Sequence, residues 1–200
     1  MVCAALGVPS VLHLHAQMQG FYCRLPVVLR SLTRWIFSLP EAVIVIGPIA
    51  RSFVVEVLNV PADRVRMIAN GVPEPHETLA PPVADAWTRI LCLGNLSDRK
   101  GLTDLLMAFA NPRLDTSNLV MTISGRGDVA GYQAKARALG VDGVVRFDDW
   151  CDQQEVSRLL ARCDMLVLPS HDEVLPLAIL GALAHGLRWS PRPWAKFRRF

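Results

Sequence analysis

The chain has no C-x-x-C pair: its five cysteines, Cys3, Cys23, Cys92, Cys151 and Cys163, are scattered and odd in number. That spacing offers neither a disulfide framework nor a zinc knuckle, so the cysteines read as reduced packing residues. Long apolar runs are also missing. The longest, Val174 to Ala184, has 11 residues, short of the roughly 20 that a spanning helix needs, although the mean hydropathy is +0.29. The apolar first dozen residues have no basic segment before them and are interrupted by His13 and His15, unlike a secretory leader. These absences point to the cytoplasm, with the inner face of the membrane left open as a place of work. Nor is there a large excess of either charge. A net +3 over 200 residues, with 20% charged and 52% hydrophobic side chains, describes a globular chain, and no nucleic-acid partner is expected.

The mild net charge conceals a break. Residues 188–200 hold Arg188, Arg192, Lys196, Arg198 and Arg199 and no acid, leaving 16 basic and 18 acidic side chains in residues 1–187. Trp189, Trp194, Phe197 and Phe200 share that basic tail with Pro191 and Pro193, which disfavour a regular helix.

Elsewhere short β-rich runs alternate with helical patterns, the sequence form of an α/β fold with a mainly parallel sheet. Strands are expected at 10–15, 42–46 and 65–68, with helices around 25–38 and 50–58. Asn70-Gly71 turns the chain, and four prolines between Val72 and Asp85 suggest a linker with a domain boundary near residue 80. Four βα units follow: strands at 89–93, 119–124, 144–147 and 165–168, helices at 101–110, 129–139, 153–162 and 176–185.

Ligands of such sheets sit at the carboxyl ends of the strands, so the loops there are the candidate sites. Gly94-Asn95-Leu96-Ser97-Asp98-Arg99-Lys100-Gly101 joins a strand to a helix start and brings two cations to amide groups. It reads as a phosphate-sized site or as an ordinary exposed loop, and it is not a Walker A loop. Gly125-Arg126-Gly127-Asp128, with Gly131 beyond, is a tight strand-to-helix turn; its G-x-G-x-x-x-G spacing departs from a dinucleotide fingerprint and argues against a dehydrogenase. In Pro169-Ser170-His171-Asp172-Glu173, either Ser170 or Asp172 could simply cap the next helix. His13 and His15 share one side of a strand. With no third ligand in sight, one reads as a satisfied core histidine and the other as exposed or functional. Arg24, Arg30 and Arg34 beside Trp35, Ile36 and Phe37 make a basic, aromatic helix, either a solvated face or a peripheral membrane contact.

In order along the chain, Leu12-His13-Leu14-His15, Ala42-Val43-Ile44-Val45, Ile68-Ala69-Asn70-Gly71-Val72, Leu93-Gly94-Asn95 through Lys100-Gly101, Ser124-Gly125-Arg126-Gly127 and Leu168-Pro169-Ser170 through Glu173-Val174-Leu175-Pro176 resemble the retaining glycosyltransferases of family 4, the group 1 transferases of GT-B fold. The likeness runs over residues 8–187. It implies two incomplete Rossmann-like domains: residues 1–80, the C-terminal half of an acceptor domain, and residues 81–187, about four βα units of a nucleotide-sugar-binding domain. Residues 188–200 form a tail that is a candidate for an out-of-frame ending. Under one choice of codons, a single restored base turns it into a family-like Pro-Val-Val-Ala-Thr-Pro-Val-Gly-Glu-Ile-Pro-Glu-Val.

The resemblance implies transfer of a sugar from a nucleotide-sugar to a sugar or lipid-linked acceptor, in the synthesis of cell-surface polysaccharide or glycolipid. The nucleotide-sugar is a substrate, and neither cofactor nor metal is implied. Glu173 and His15 take the catalytic positions; Gly94, Asn95, Arg99, Lys100 and Leu175 take donor-binding ones. Three departures stand out, of which the second and third argue against full activity, while Lys100 and Arg99 remain as phosphate cations beside the first. Asn95 stands where the family commonly has arginine, Val174 stands where it has glycine, and Gly181 stands where the second glutamate of E-x7-E would hold the ribose. Much of the family's first domain would precede Met1. The expectation is therefore a transferase by lineage that is impaired or inactive as it stands, or else a non-catalytic nucleotide-binding or membrane-peripheral module.

Overall fold

The computed structural model describes residues 6–15, 18–75, 87–149, 151–171, 173 and 175–187. The proline-rich stretch around the expected boundary, the basic tail, Cys3, Asp172 and Val174 lie wholly or in part outside them. The chain divides after Asn70 into two compact units.

The first unit is a three-stranded parallel sheet, ordered β1 (Val11–Leu14), β2 (Ala42–Val45), β3 (Val65–Met67). Register pairs Leu12 with Val43 and Leu14 with Val45, and Val43 with Val65, which sets these side chains on one face. That face packs with Tyr22, Phe37, Phe53, Val54 and Leu58. Between β1 and β2 run α1 (Gln19–Arg24), which periodicity did not reveal, and α2 (Val27–Ser38). After β2, α3 (Pro48–Ser52) opens with Pro48 at its first position and winds into a π-helical turn over Phe53–Val57, where a plain helix was expected. A proline there fits because its missing N–H would have no partner.

Helix α2 is mounted the wrong way round for its pattern. Phe37 is its buried residue, while Val28, Leu29, Leu32, Trp35 and Ile36 are exposed, Val28 to 78%. At 3.6 residues per turn those five form one stripe. The opposite side carries Arg30, whose guanidinium donates to the carbonyls of Leu25 and Cys23. Arg34 donates to the Val57 carbonyl at 3.0 Å.

The second unit is a four-stranded parallel sheet ordered β6-β5-β4-β7, from β4 (Thr88–Leu93), β5 (Leu119–Ser124), β6 (Val145–Asp148) and β7 (Met165–Leu166). Its helices are α4 (Leu102–Phe109), α5 (Val129–Ala138), α6 (Gln153–Arg162) and α7 (Leu177–Ala184). Strand β4 shows why its sequence is continuously apolar. Ile90 and Cys92 point into a core with Leu102, Leu105, Leu106 and Phe109 of α4 and Ala136 of α5. Leu91 and Leu93 point the other way, against Leu160 of α6 and Ile179 and Ala182 of α7. Both faces are covered, as a doubly wound sheet requires. Burial pushes the Cys92 thiol up to about 12 and that of Cys163 to about 11, so both are neutral packing groups, and all four described cysteines are free.

Helix starts in this unit follow local chemistry. The Asp128 carboxylate accepts from Gly131 N and that of Asp152 from Glu155 N, both at 2.9 Å, each satisfying an amide with no partner inside its helix. Ser170 caps nothing: α7 follows Pro176 with no side-chain cap, and the Ser170 hydroxyl is buried without a partner.

Leu106 is fully buried between α4 and the sheet. Leu106→Ala is expected to destabilise the second unit by about 2–5 kcal/mol through lost transfer energy and the cavity left behind, read as a lower urea midpoint with unchanged slope.

Candidate functional site

The sheet order of the second unit places the site. The chain lays down β4, β5 and β6 outward in one direction, then returns to set β7 on the other side of β4. The loops leaving β4 and β7 therefore diverge from neighbouring strands at a topological switch point, where open α/β sheets bind ligands.

These two loops are locked together. After β4 the chain passes Gly94 and Asn95, both exposed, and makes a 3-10 turn over Asp98–Lys100. It then reaches Gly101 at φ 70°, in the left-handed region. A side chain on Gly101 would strike the Pro169 carbonyl, so both the conformation and the close approach demand glycine. His171 N donates to the Arg99 carbonyl at 3.1 Å, and His171 Nε2 lies 2.9 Å from Asp104 Oδ2 on α4. With the loops joined, Lys100 Nζ on one meets Glu173 Oε1 on the other. Both side chains are largely buried, at 20% and 13% exposure.

The β5 loop closes the other flank. Leu96 N donates to the Arg126 carbonyl at 2.7 Å. A side chain on Gly125 would meet the Gly94 carbonyl, and one on Gly127 would come within 2.6 Å of the Leu96 carbonyl. The G-x-G pair thus serves loop packing, as the turn reading expected. Gly94, by contrast, has φ 147° and nothing within 4 Å of its would-be side chain. Only the position of that absent side chain is open; the Gly94 N–H donates to the Ser124 carbonyl at 3.1 Å.

A polar network that the sequence did not disclose holds the Lys100 turn from α4 and α5. Asp98 Oδ1 accepts from Thr103 Oγ1 and, at 3.0 Å, from the Tyr132 hydroxyl, while Lys135 Nζ donates to Thr103 Oγ1 at 2.8 Å. The Thr103 and then the Tyr132 hydrogen bonds hold the Asp98 carboxyl below its ordinary range. Burial, and then Asp98 itself, raise Tyr132. The five-residue gap from Asp98 to Thr103 fits no capping pattern, and 34 residues separate Asp98 from Tyr132, so no residue pattern signals the pairing.

Leu175 is half-buried and Arg99 exposed, both on the two joined loops. Gly181 lies within α7, where an added Cβ would sit 3.1 Å from Leu160 Cδ1, a contact with the movable end of a flexible side chain. The Gly181 carbonyl accepts from His185 Nδ1 at 2.8 Å, and the other ring nitrogen of the buried His185 meets Ser157 Oγ at 2.9 Å. A carbonyl only accepts, so Nδ1 carries hydrogen. In the first unit His13 and His15 are both exposed. The expectation of one core histidine is corrected: their side of β1 is the one turned away from the packed core.

Comparison with known proteins fixes the lineage. The family model for glycosyl transferases group 1 matches residues 84–188, 105 of the 200. The chain belongs to that family. Over 188 residues it is 27% identical to the glycogen synthase of Mycobacterium tuberculosis, covering 90% of this chain and 45% of that one. Over 158 residues it is 28% identical to a glycosyltransferase of Methanocaldococcus jannaschii, covering 72% and 40%. Among solved structures, sucrose-phosphate synthase from Thermosynechococcus elongatus superposes with a TM-score of 0.69 at 20% identity, over 90% of this chain and 49% of that one. The lipopolysaccharide glycosyltransferase WaaG gives 0.68 at 18%, over 90% and 55%. TarM of S. aureus, solved with Fondaparinux, alpha-GlcNAc-glycerol and UDP, gives 0.67 at 14%, over 90% and 36%. These likenesses show a GT-B type α/β fold, of which this group 1 chain spans about half the length of the relatives it matches.

Two outcomes test the site. Gly101→Ala forces a left-handed alanine against a backbone carbonyl and is expected to cost at least about 2 kcal/mol, measured by denaturant unfolding. A carboxyl NMR titration is expected to find Asp98 below its ordinary value in the native chain and closer to it in Thr103→Val. Because the native value is the lowered one, the contact is intact above the ordinary carboxylate range and is lost as pH falls through the depressed value.

Proposed function

We propose that the joined β4 and β7 loops bind the diphosphate of a nucleotide-sugar. The chain is then by lineage a retaining transferase of family 4, acting on a sugar or lipid-linked acceptor in the synthesis of surface polysaccharide or glycolipid. The observation that carries this reading is the Lys100–Glu173 pair at the switch point. An ammonium has three donors; with one engaged by Glu173, two are left for phosphate oxygens. Arg99 adds a second cation nearby. The first amides of α7, uncapped by any side chain, add the partial positive charge of a helix start. A nucleoside diphosphate leaving group needs such charge and oriented amides where its own charge develops. That requirement is met from side chains and backbone, so the reading asks for no cofactor or metal.

Glu173 then orients the donor sugar and its phosphate, with Gly94, Asn95 and Leu175 lining the donor's path. His15, exposed at the end of β1, is assigned to the reacting sugar on the family resemblance. Gly181 offers no carboxylate to the ribose. Losing one charged hydrogen-bond partner weakens binding by ~1.5–3 kcal/mol, roughly ten- to a hundredfold, and turnover is expected to be slight or absent. A second reading, a nucleotide-binding module that sits on a membrane without catalysing transfer, draws on the outward apolar stripe of α2. No described helix is long and apolar enough to cross a membrane, so contact there would be peripheral.

Titration calorimetry with UDP and ADP tests the donor site. Lys100→Ala is expected to weaken binding about ten- to a hundredfold, and Gly181→Glu to strengthen it by a similar factor once the Leu160 methyl gives way. Equal affinity in wild type and Lys100→Ala would refute the assignment. Sugar transfer by the 200-residue chain that Glu173→Ala abolishes would instead overturn the expectation of inactivity.

A further inference from the structure

Strand β1 alternates strictly. Leu12 and Leu14 face the packed side of the first sheet, which turns Val11 and His13, and the direction of His15 beyond them, to the uncovered side. Val11 is 61% exposed, and both histidines are exposed. Their ring centroids lie 3.8 Å apart with planes inclined at 41°. Among the described residues no hydrogen bond or ion pair engages either ring. Two solvent-facing imidazoles with uncommitted nitrogens are therefore held side by side by a strand whose register with β2 is fixed through Leu14 and Val45.

From this juxtaposition we propose that His13 and His15 form a two-imidazole site for a divalent late transition metal ion such as Ni2+ or Zn2+. Imidazole nitrogen suits these ions, whereas Mg2+ and Ca2+ take oxygen ligands. The strand supplies what chelation needs: the second ring is already beside the first, so little freedom remains to be lost when both bind. No group of three or more His, Cys, Asp and Glu able to hold a metal occurs among the described residues, so water completes the coordination and the ion is exchangeable. Neither ring has a hydrogen-bonded partner to fix its tautomer, as tightly bound metals usually have, and this also places the site in the labile class.

The proposal rests on the two rings alone and is tested without nucleotide. Ni2+ is added to the full chain while the histidine ring resonances are followed by NMR. His13 and His15 are expected to broaden together at substoichiometric metal, ahead of His76, His171 and His185. By calorimetry, His13→Gln and His15→Gln are each expected to lose at least about tenfold in Ni2+ affinity, since removing a direct ligand costs no less than disturbing an outer one. Both positions are exposed, and unchanged thermal unfolding of the variants keeps that loss interpretable. First broadening at any other of the five histidines, or Ni2+ affinity unchanged in either variant, would overturn the proposal. Competition from the free thiols is resolved by the same spectra, because a thiol-bound ion leaves the two β1 rings sharp.

Discussion

The second unit depends on one close approach: the carbonyl of Pro169 lies where any side chain on residue 101 would have to be. That packing brings the β7 loop onto the β4 loop and permits the hydrogen bond from His171 N to the Arg99 carbonyl. It also sets Glu173 against Lys100. A carboxylate and an ammonium, both largely buried, are costly to hold apart, so the pairing and the packing reinforce each other. The relative position of the two groups proposed to hold the donor is thus set by a glycine.

The two units use their sheets differently. In the second, β4 is covered on both faces, by α4 and α5 on one side and α6 and α7 on the other, and its loops gain rigid support. In the first, the packed core takes Leu14, Val43, Val45 and Val65 from one face, while His13 and His15 stand in solvent on the other. Helix α2 sharpens the contrast by packing through Phe37 and its arginine side while its apolar stripe is exposed. An apolar stripe of this kind marks a surface built to be covered.

Much of this was legible from residue patterns because burial writes directly into sequence. Strand β5 and helix α6 occupy the expected residues, and the remaining strands of the second unit shift by one or two positions. The loops at strand ends were found because glycine and charge concentrate there. What residue patterns do not show depends on tertiary proximity. The Asp98–Tyr132 contact joins residues far apart in the chain, and α1 is too short to show a period. The π-helical turn at Phe53–Val57 follows a pattern that an ordinary helix shares. The exposure of both β1 histidines turned on which face of the sheet is covered, a question that strand periodicity leaves open.

The return of β7 to β4 has a consequence for the order of assembly. Strands β4, β5 and β6 pair with sequence neighbours, whereas Lys100 and Glu173 are 73 residues apart and β7 contributes two residues to the sheet. Closing a longer loop costs more chain entropy, and fewer ladder bonds offset it. During synthesis the lysine emerges well before its partner. We expect the seam that carries the ion pair to form last in folding and to open first in local unfolding, so that the candidate site is the part of the second unit most sensitive to a small loss of stability.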